Sequence, residues 1–362
     1  MSLSELFGIE HPLVQAPLAG VQDSALAIAV SEAGGLGSLP CALLSLDKLR
    51  EELGTLQARL QRRYNLNFFC HESPQPDSAR EAHWRTALAP YYRELGLDPA
   101  AALAAPLRQP FNDACADLVE QFRPAVVSFH FGLPAPELLA RVRASGARIV
   151  ANATTLAEGR WLAARGVDAI IAQGWEAGGH RGIFLSDDLS TQVGTIALLR
   201  QLVLELDVPI IAAGGIGDAA GVAAAMALGA AGVQVGTAYL LCPEARTSAP
   251  HRAALASAAA QHTALTNLFT GRPARGIVNR LMRDFGPINA IAPAFPLASA
   301  ALAPLRAKSE ALGSGDFSPL WAGQNASGCR AIPAAALTAE LVKGFDKKKA
   351  PAGAPSSTSA HA

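Results

Sequence analysis

Cysteine is scarce and scattered. Cys41, Cys70, Cys115, Cys242 and Cys329 are the five present; they are odd in number and form no CxxC pair. That excludes a disulfide framework and a thiolate zinc centre, and the five read as free thiols. No HExxH-like pairing of carboxylate with histidine occurs, so no metal site is expected. The Ser-centred GxSxG elbow is missing, which argues against a serine hydrolase. The first apolar run is not followed by GxGxxG, as a dinucleotide-binding sheet would require. Charge of one sign is lacking too: 30 basic residues balance 30 acidic ones, leaving no general attraction to nucleic acid or an anionic membrane. No stretch reaches the ~18 apolar residues, free of charges or turn-formers, of a membrane span. Residues 1–10 show no basic segment leading into an apolar run, so no secretory signal is expected and the cytoplasm is the expected location.

What is present is apolar and periodic. Half of the 362 residues are hydrophobic and 17% are charged, enough for one large core in a compact α/β enzyme. Short apolar runs recur at 13–16, 35–39, 65–69, 125–129, 148–151, 169–172, 209–213 and 232–235. Most are apolar on both faces, as parallel strands covered by helices must be. Helical patterns lie between most of them, at 24–33, 136–145, 155–165, 195–206 and 218–228. Eight strands alternating with helices predict a closed (β/α)₈ barrel rather than an open sheet. Residues 1–345 are read as one barrel. It carries a helical insertion over 71–124 and a helical C-terminal addition over 243–345, both expected to lie across the barrel top as a small lid. Residues 346–362, rich in Lys, Pro, Ser and Ala, are expected to be a disordered tail.

Active sites of such barrels form where strands end. The sixth run leads into Gln173-Gly-Trp-Glu-Ala-Gly-Gly-His-Arg-Gly182. Gly178 and Gly179 permit positive φ or close approach of a ligand, and His180 beside them is the candidate catalytic acid–base. The seventh run ends in Gly214-Gly215 and the eighth in Gln234-Val235-Gly236-Thr237; two consecutive glycine turns feeding helix N-termini form a phosphate cradle. Gln15, Ala16 and Pro17 follow the first run. Asn67 and Gln173 carry amides suited to the edge of a heterocycle, and His130 is placed to orient substrate. The remaining histidines, His71 and His251 among them, lack glycine context and read as packing or surface residues.

These pieces resemble the nitronate monooxygenase family, formerly called 2-nitropropane dioxygenases. The matching segments are Gln15-Ala-Pro-Leu-Ala-Gly20, Asn67-Phe-Phe69, Ser128-Phe-His-Phe-Gly132, 173–182, Ala213-Gly-Gly-Ile-Gly217, 234–237, 269–276 and 321–324. Leu18 stands where the family usually has Met, a substitution that conserves volume. The resemblance implies non-covalent FMN bound by residues including Asn67, Gln173, Gly178, Gly215 and 234–237, with His180 near the substrate nitro group. It implies oxidation of alkyl nitronates such as propionate 3-nitronate by O₂, giving carbonyl compounds and nitrite. Its nearest alternative is a flavin-dependent NAD(P)H enoyl-acyl-carrier-protein reductase or NADH:quinone reductase on the same barrel. Arg272 and Arg275 are expected to receive a carboxylate end of the substrate. A homodimer is compatible with the sequence but not demanded by it.

Overall fold

The computed structural model describes residues 2–75, 77–101 and 108–346; the expected tail lies almost wholly outside the described residues. Eight parallel strands build the centre: β1 (Leu13–Gln15), β2 (Gly37–Pro40), β3 (Tyr64–Phe69), β4 (Val126–His130), β5 (Arg148–Ala153), β6 (Ala169–Gln173), β8 (Ile210–Ala213) and β9 (Gly232–Val235). Their order is β1-β9-β8-β6-β5-β4-β3-β2. The ring closes between β1 and β2, where Gln15 N–H donates to the Leu36 carbonyl at 2.9 Å and Leu36 N–H to the Leu13 carbonyl at 2.8 Å. The expected (β/α)₈ barrel is therefore the fold.

Side-chain alternation sorts each strand into two faces. Leu66, Val127, Ile149, Ile170, Ile210 and Val233 face outward and form one core with the surrounding helices. Val14, Val126, Val150, Ala169, Ile171 and Ile211 face the axis, where Leu3 and Phe7 of the opening helix Leu3–Phe7 plug the lower end. The same inward parity continued up the strands brings Asn67, His130, Asn152, Gln173 and Gln234 to the mouth. Apolar side chains fill the bottom of the barrel and polar ones its top.

The additions differ from expectation in two ways. Within 71–124, the helix Asp113–Phe122 is the barrel's own β3–β4 helix, packed on the outer core; among the described residues Ser78–Glu94 is the added helix. The C-terminal part is not simply helical. It contributes a hairpin, β10 (Thr263–Thr266) and β11 (Ala274–Ile277), which pairs with β7 (Gly179–His180) inside the long loop after β6. Ser78–Glu94 and the C-terminal helix Ala298–Ala311 share a second core of Trp84, Leu88, Tyr92, Leu302, Leu305 and Phe317. Trp84 Nε1 and Tyr92 Oη bond the carbonyls of Ala298 and Ala301 at 3.1 and 2.6 Å. The helix Ala334–Val342 returns to the barrel wall and completes the outer layer. Among the described residues no helix is long and apolar enough to cross a membrane.

Gly37 shows how tightly this wall is packed: a Cβ there would overlap the backbone of Ala27 in the helix Ser24–Glu32. Two main chains in contact cannot yield cheaply. Gly37→Ala is expected to cost about 2 kcal/mol or more and to lower Tm by roughly 3 °C or more. Gly54, exposed mid-helix with nothing near its Cβ position, is the control. Gly54→Ala should leave Tm unchanged or raise it, through the helix propensity gain of about 1 kcal/mol. Thermal melts that rank the two variants in the opposite order would refute this packing.

Candidate active site

A cavity of about 1380 Å³, counted out to its mouth, opens at the C-terminal ends of the strands. Its floor carries Asn67, His130, Asn152, Gln173 and Gln234, and its rim carries Ala16, Pro17, Gly178, Gly179, Gly214, Gly215, Gly236 and Thr237. Nearly every predicted site residue therefore converges on one space. Gln15 and Val235 do not line it. Gln15 is fully buried with its carboxamide spent on Ser38 N–H and Gln22, and Val235 belongs to the outer core.

The loop after β6 is held by its own strand. Gln173 Nε2 donates to the His180 carbonyl at 2.9 Å, and Gln173 Oε1 accepts from Gly182 N–H at 2.8 Å. Arg181 is fully buried beneath it and donates to the Gln173 and Gly174 carbonyls and to Gln192. Glu176 accepts from the N–H and hydroxyl of Thr195, tying the loop to the next helix. The two glycines divide the work. Gly179 has φ +70° and open space where a side chain would stand. Gly178 does not make room for a ligand in that way: a Cβ there would meet the backbone of Ala322 and Gly323, so its smallness serves the C-terminal segment packed on it.

His180 lies between aromatic rings. Phe69, Phe295 and Trp321 surround its imidazole at 6.0, 5.5 and 5.6 Å between centroids, and Nε2 is 2.9 Å from Thr270 Oγ1. Burial drives its pKa well below 6.5, and the positive charges of Arg108 and Arg272 push the same way. The ring is neutral at neutral pH, so it is no electrostatic partner for an anion. His130 Nε2 lies 3.2 Å from the His180 carbonyl and must be the donor, since a carbonyl only accepts. Burial, then Arg272, brings its pKa down to about 3. Asn67 donates twice to Ser128, leaving its carbonyl oxygen without a partner among the described residues. Gln234 Oε1 and Asn152 Oδ1 are buried without a partner there, which points to donors that a ligand would bring.

The two glycine turns differ electrostatically. Gly214 and Gly215 both take positive φ, 118° and 75°. The helix that follows, Ala219–Ala227, is capped by Asp218, whose carboxylate accepts from Gly221 N–H at 2.8 Å. An anion at that helix end would face this carboxylate, so the expected dipole contribution there is lost. The 3₁₀ turn Thr237–Leu241, starting from Gly236, has no side-chain cap; Tyr239 N–H is spent on the Gly236 carbonyl, and the Thr237 and Ala238 N–H groups have no partner among the described residues.

Arg272 and Arg275 are not placed to receive substrate. Arg272 lies over the Phe131 ring at 4.1 Å and bonds the Ile183 carbonyl. Arg275 donates to the Trp175 carbonyl and to Thr263. Neither lines the cavity; both brace the 173–183 loop. Among the lining residues that escaped the sequence reading are Asn152 and Arg108. Asn152 continues the inward parity of β5 beyond the predicted strand end and was legible in principle. Arg108 lies in an irregular stretch with no strand-end signal. Among the described residues no group of three His, Cys, Asp or Glu is placed to hold a metal.

The buried histidines make a prediction about stability. Burial holds His71 and His251 down to about 4 and His130 to about 3, with His180 also depressed. All four are neutral in the fold, whereas the unfolded chain takes up their protons near pH 6.5. Their contribution is complete above about pH 6.5 and lost as pH falls toward 4, at up to about 1.4 kcal/mol per pH unit for each. Tm should decline steadily from pH 7 to pH 5; a flat profile there would contradict neutral burial.

Known proteins are similar to this chain over nearly its whole length. The family model described as nitronate monooxygenase matches residues 1–344. A nitronate monooxygenase of Paraburkholderia phytofirmans is 42% identical over 342 residues, covering 94% of this chain and 93% of its own. One from Pseudomonas aeruginosa is 41% identical over 342 residues, covering 94% and 97%. The crystal structure of nitroalkane oxidase from Streptomyces ansochromogenes superposes with a TM-score of 0.85 at 37% identity, over 96% of this chain and all of that one. With matches of that depth running from the opening helix to the last, the chain belongs to the nitronate monooxygenase family.

Proposed function

We propose that this protein oxidises alkyl nitronates with O₂ to carbonyl compounds and nitrite, using FMN held in the barrel mouth. The observation that carries this reading is the cavity itself. It combines paired glycine turns, amide oxygens of Asn152 and Gln234 that are buried without a partner among the described residues, the Asn67 amide with its nitrogen spent on Ser128, and a neutral histidine in an aromatic wall. Gly214, Gly215, Gly236 and Thr237 would hold the phosphate through backbone N–H groups. Asn67, Gln234 and Asn152 offer acceptors for the polar edge of the ring system, and Ala16, Pro17, Gly178 and Gly179 border it. When bound, FMN supplies the electron acceptor that nitronate reduces and O₂ reoxidises. The five free thiols support a cytoplasmic location.

The protein's own part is to position and to exclude. Phe69, Phe295 and Trp321 keep bulk water from the substrate side of His180. His130 and Gln173 fix the His180 backbone through its carbonyl, so His130 is a positioning residue. A neutral His180 can take the α-proton of a neutral nitroalkane. It has nothing to remove from a nitronate, which is already deprotonated.

Two experiments test this. Heat-denatured protein should release FMN. Under anaerobic conditions a nitronate should bleach the yellow holoenzyme, and admitting air should yield nitrite. Bleaching by NADH alone, without response to nitronate, would instead establish an NAD(P)H-dependent reductase. The second concerns His180→Asn. Nitroalkane turnover should fall by about 10²-fold or more, the usual worth of a general base, while nitronate turnover stays within about fivefold. Equal loss on both substrates would show that His180 positions substrate or shapes the site instead of acting as a base.

A further inference from the structure

Only four side chains lining the cavity carry an acidic or basic group, Glu176, His130, His180 and Arg108, among the described residues. Glu176 is committed to Thr195. Both histidines are neutral. Among the described residues Arg108 is thus the one permanent cation bordering the space. Burial, and next the charge of Arg306, pull its pKa down to about 10, and no acidic group among the described residues offsets either. Of the charges acting on His180, that of Arg108 is the largest. The Arg108 guanidinium lies 5.6 Å from the Phe295 ring centroid, and the His180 ring lies 5.5 Å from the same centroid. Its backbone is anchored independently: His71 Nε2 donates to the Arg108 carbonyl at 3.2 Å, and Phe111 N–H donates to Phe69 at the end of β3.

A half-buried cation without a carboxylate partner costs free energy that a bound anion relieves. A guanidinium also presents a planar fork that matches two oxygens of a planar oxyanion. We propose that Arg108 is a specificity-determining residue: it binds the nitronate oxygens, and the preference for nitronate over neutral nitroalkane resides in this guanidinium instead of in His180. The assignment rests on the nitronate-oxidising function above. It gives the anion its counter-charge on the side where the histidines supply none, and it separates two roles. His180 handles the proton of the neutral substrate, and Arg108 handles the charge of the anionic one.

The test uses purified holoenzyme, wild type, Arg108→Gln and Arg108→Lys, with matched nitronate and nitroalkane. Arg108→Gln should raise KM for nitronate about a hundredfold while kcat/KM for the neutral nitroalkane moves less than about threefold, and Arg108→Lys should recover at least about tenfold of the loss. Nitrate, a planar oxyanion of the same charge, gives a readout without turnover. It should perturb the flavin absorbance of wild type, compete with nitronate, and bind Arg108→Gln at least about tenfold more weakly. Equal losses on both substrates, or an unchanged nitronate KM, would overturn the assignment. Should Arg108→Gln fail to fold, nitrate that does not compete with nitronate in wild type overturns it equally. A wild-type enzyme that oxidises no nitronate overturns the functional reading and the assignment with it; an active wild type with an unaffected Arg108→Gln overturns the assignment alone.

Discussion

The carboxamide of Gln173 is bonded at both ends to the loop that leaves its own strand. Its nitrogen holds the His180 carbonyl and its oxygen holds the Gly182 N–H. This fixes a nine-residue excursion from a single side chain on a rigid β-strand, a more exact support than a loop resting on solvent would have. Other bonds multiply around that clamp. Arg181 fills the space beneath it, His130 reaches the same His180 carbonyl from β4, and β11 pairs with Gly179 and His180 from outside. The imidazole ends up in one place because its backbone is held from three directions. Loss of the Gln173 amide would leave buried donors and acceptors of the loop unmatched, a costlier defect than loss of one bond.

The electrostatics of the mouth follow from the same burial. Among the described residues Arg108, His130 and His180 line a space whose one carboxylate, Glu176, is spent on Thr195, with Arg272 and His71 acting on His180 from behind its wall. Desolvation and mutual repulsion then strip the histidines of protons and leave the arginines charged. The site is positive without being acidic. That suits a substrate that arrives as an anion, and it suits poorly a reaction that begins with removal of a proton by a strong base.

Much of this was legible from the sequence because it is local. Strand identities, the 173–182 loop and the glycine turns depend on neighbours within a few residues, and alternation along each strand carries Asn67, His130 and Gln234 to the mouth. What the sequence withheld depends on partners far along the chain. Arg275 looked like a substrate ligand until its guanidinium was found on the Trp175 carbonyl a hundred residues away. Gly178 looked like room for a cofactor until Ala322 and Gly323 were found against it. Asp218 stood in plain view as a helix cap, yet its charge bears on the Gly214–Gly215 turn only through the three-dimensional placement of that helix end. Arg108 had no local signature at all: its position comes from His71, Phe69 and Phe295 together.

The pairing of β7 with β11 also sets an order of assembly. A nascent chain that has reached Val235 already contains all eight barrel strands, yet it lacks Thr270, Ala274, Phe295 and Trp321, which flank His180. His180 gains its aromatic walls only from the last third of the polypeptide, the same stretch whose helix Ala334–Val342 completes the barrel's outer layer. Vectorial synthesis delivers that enclosure last.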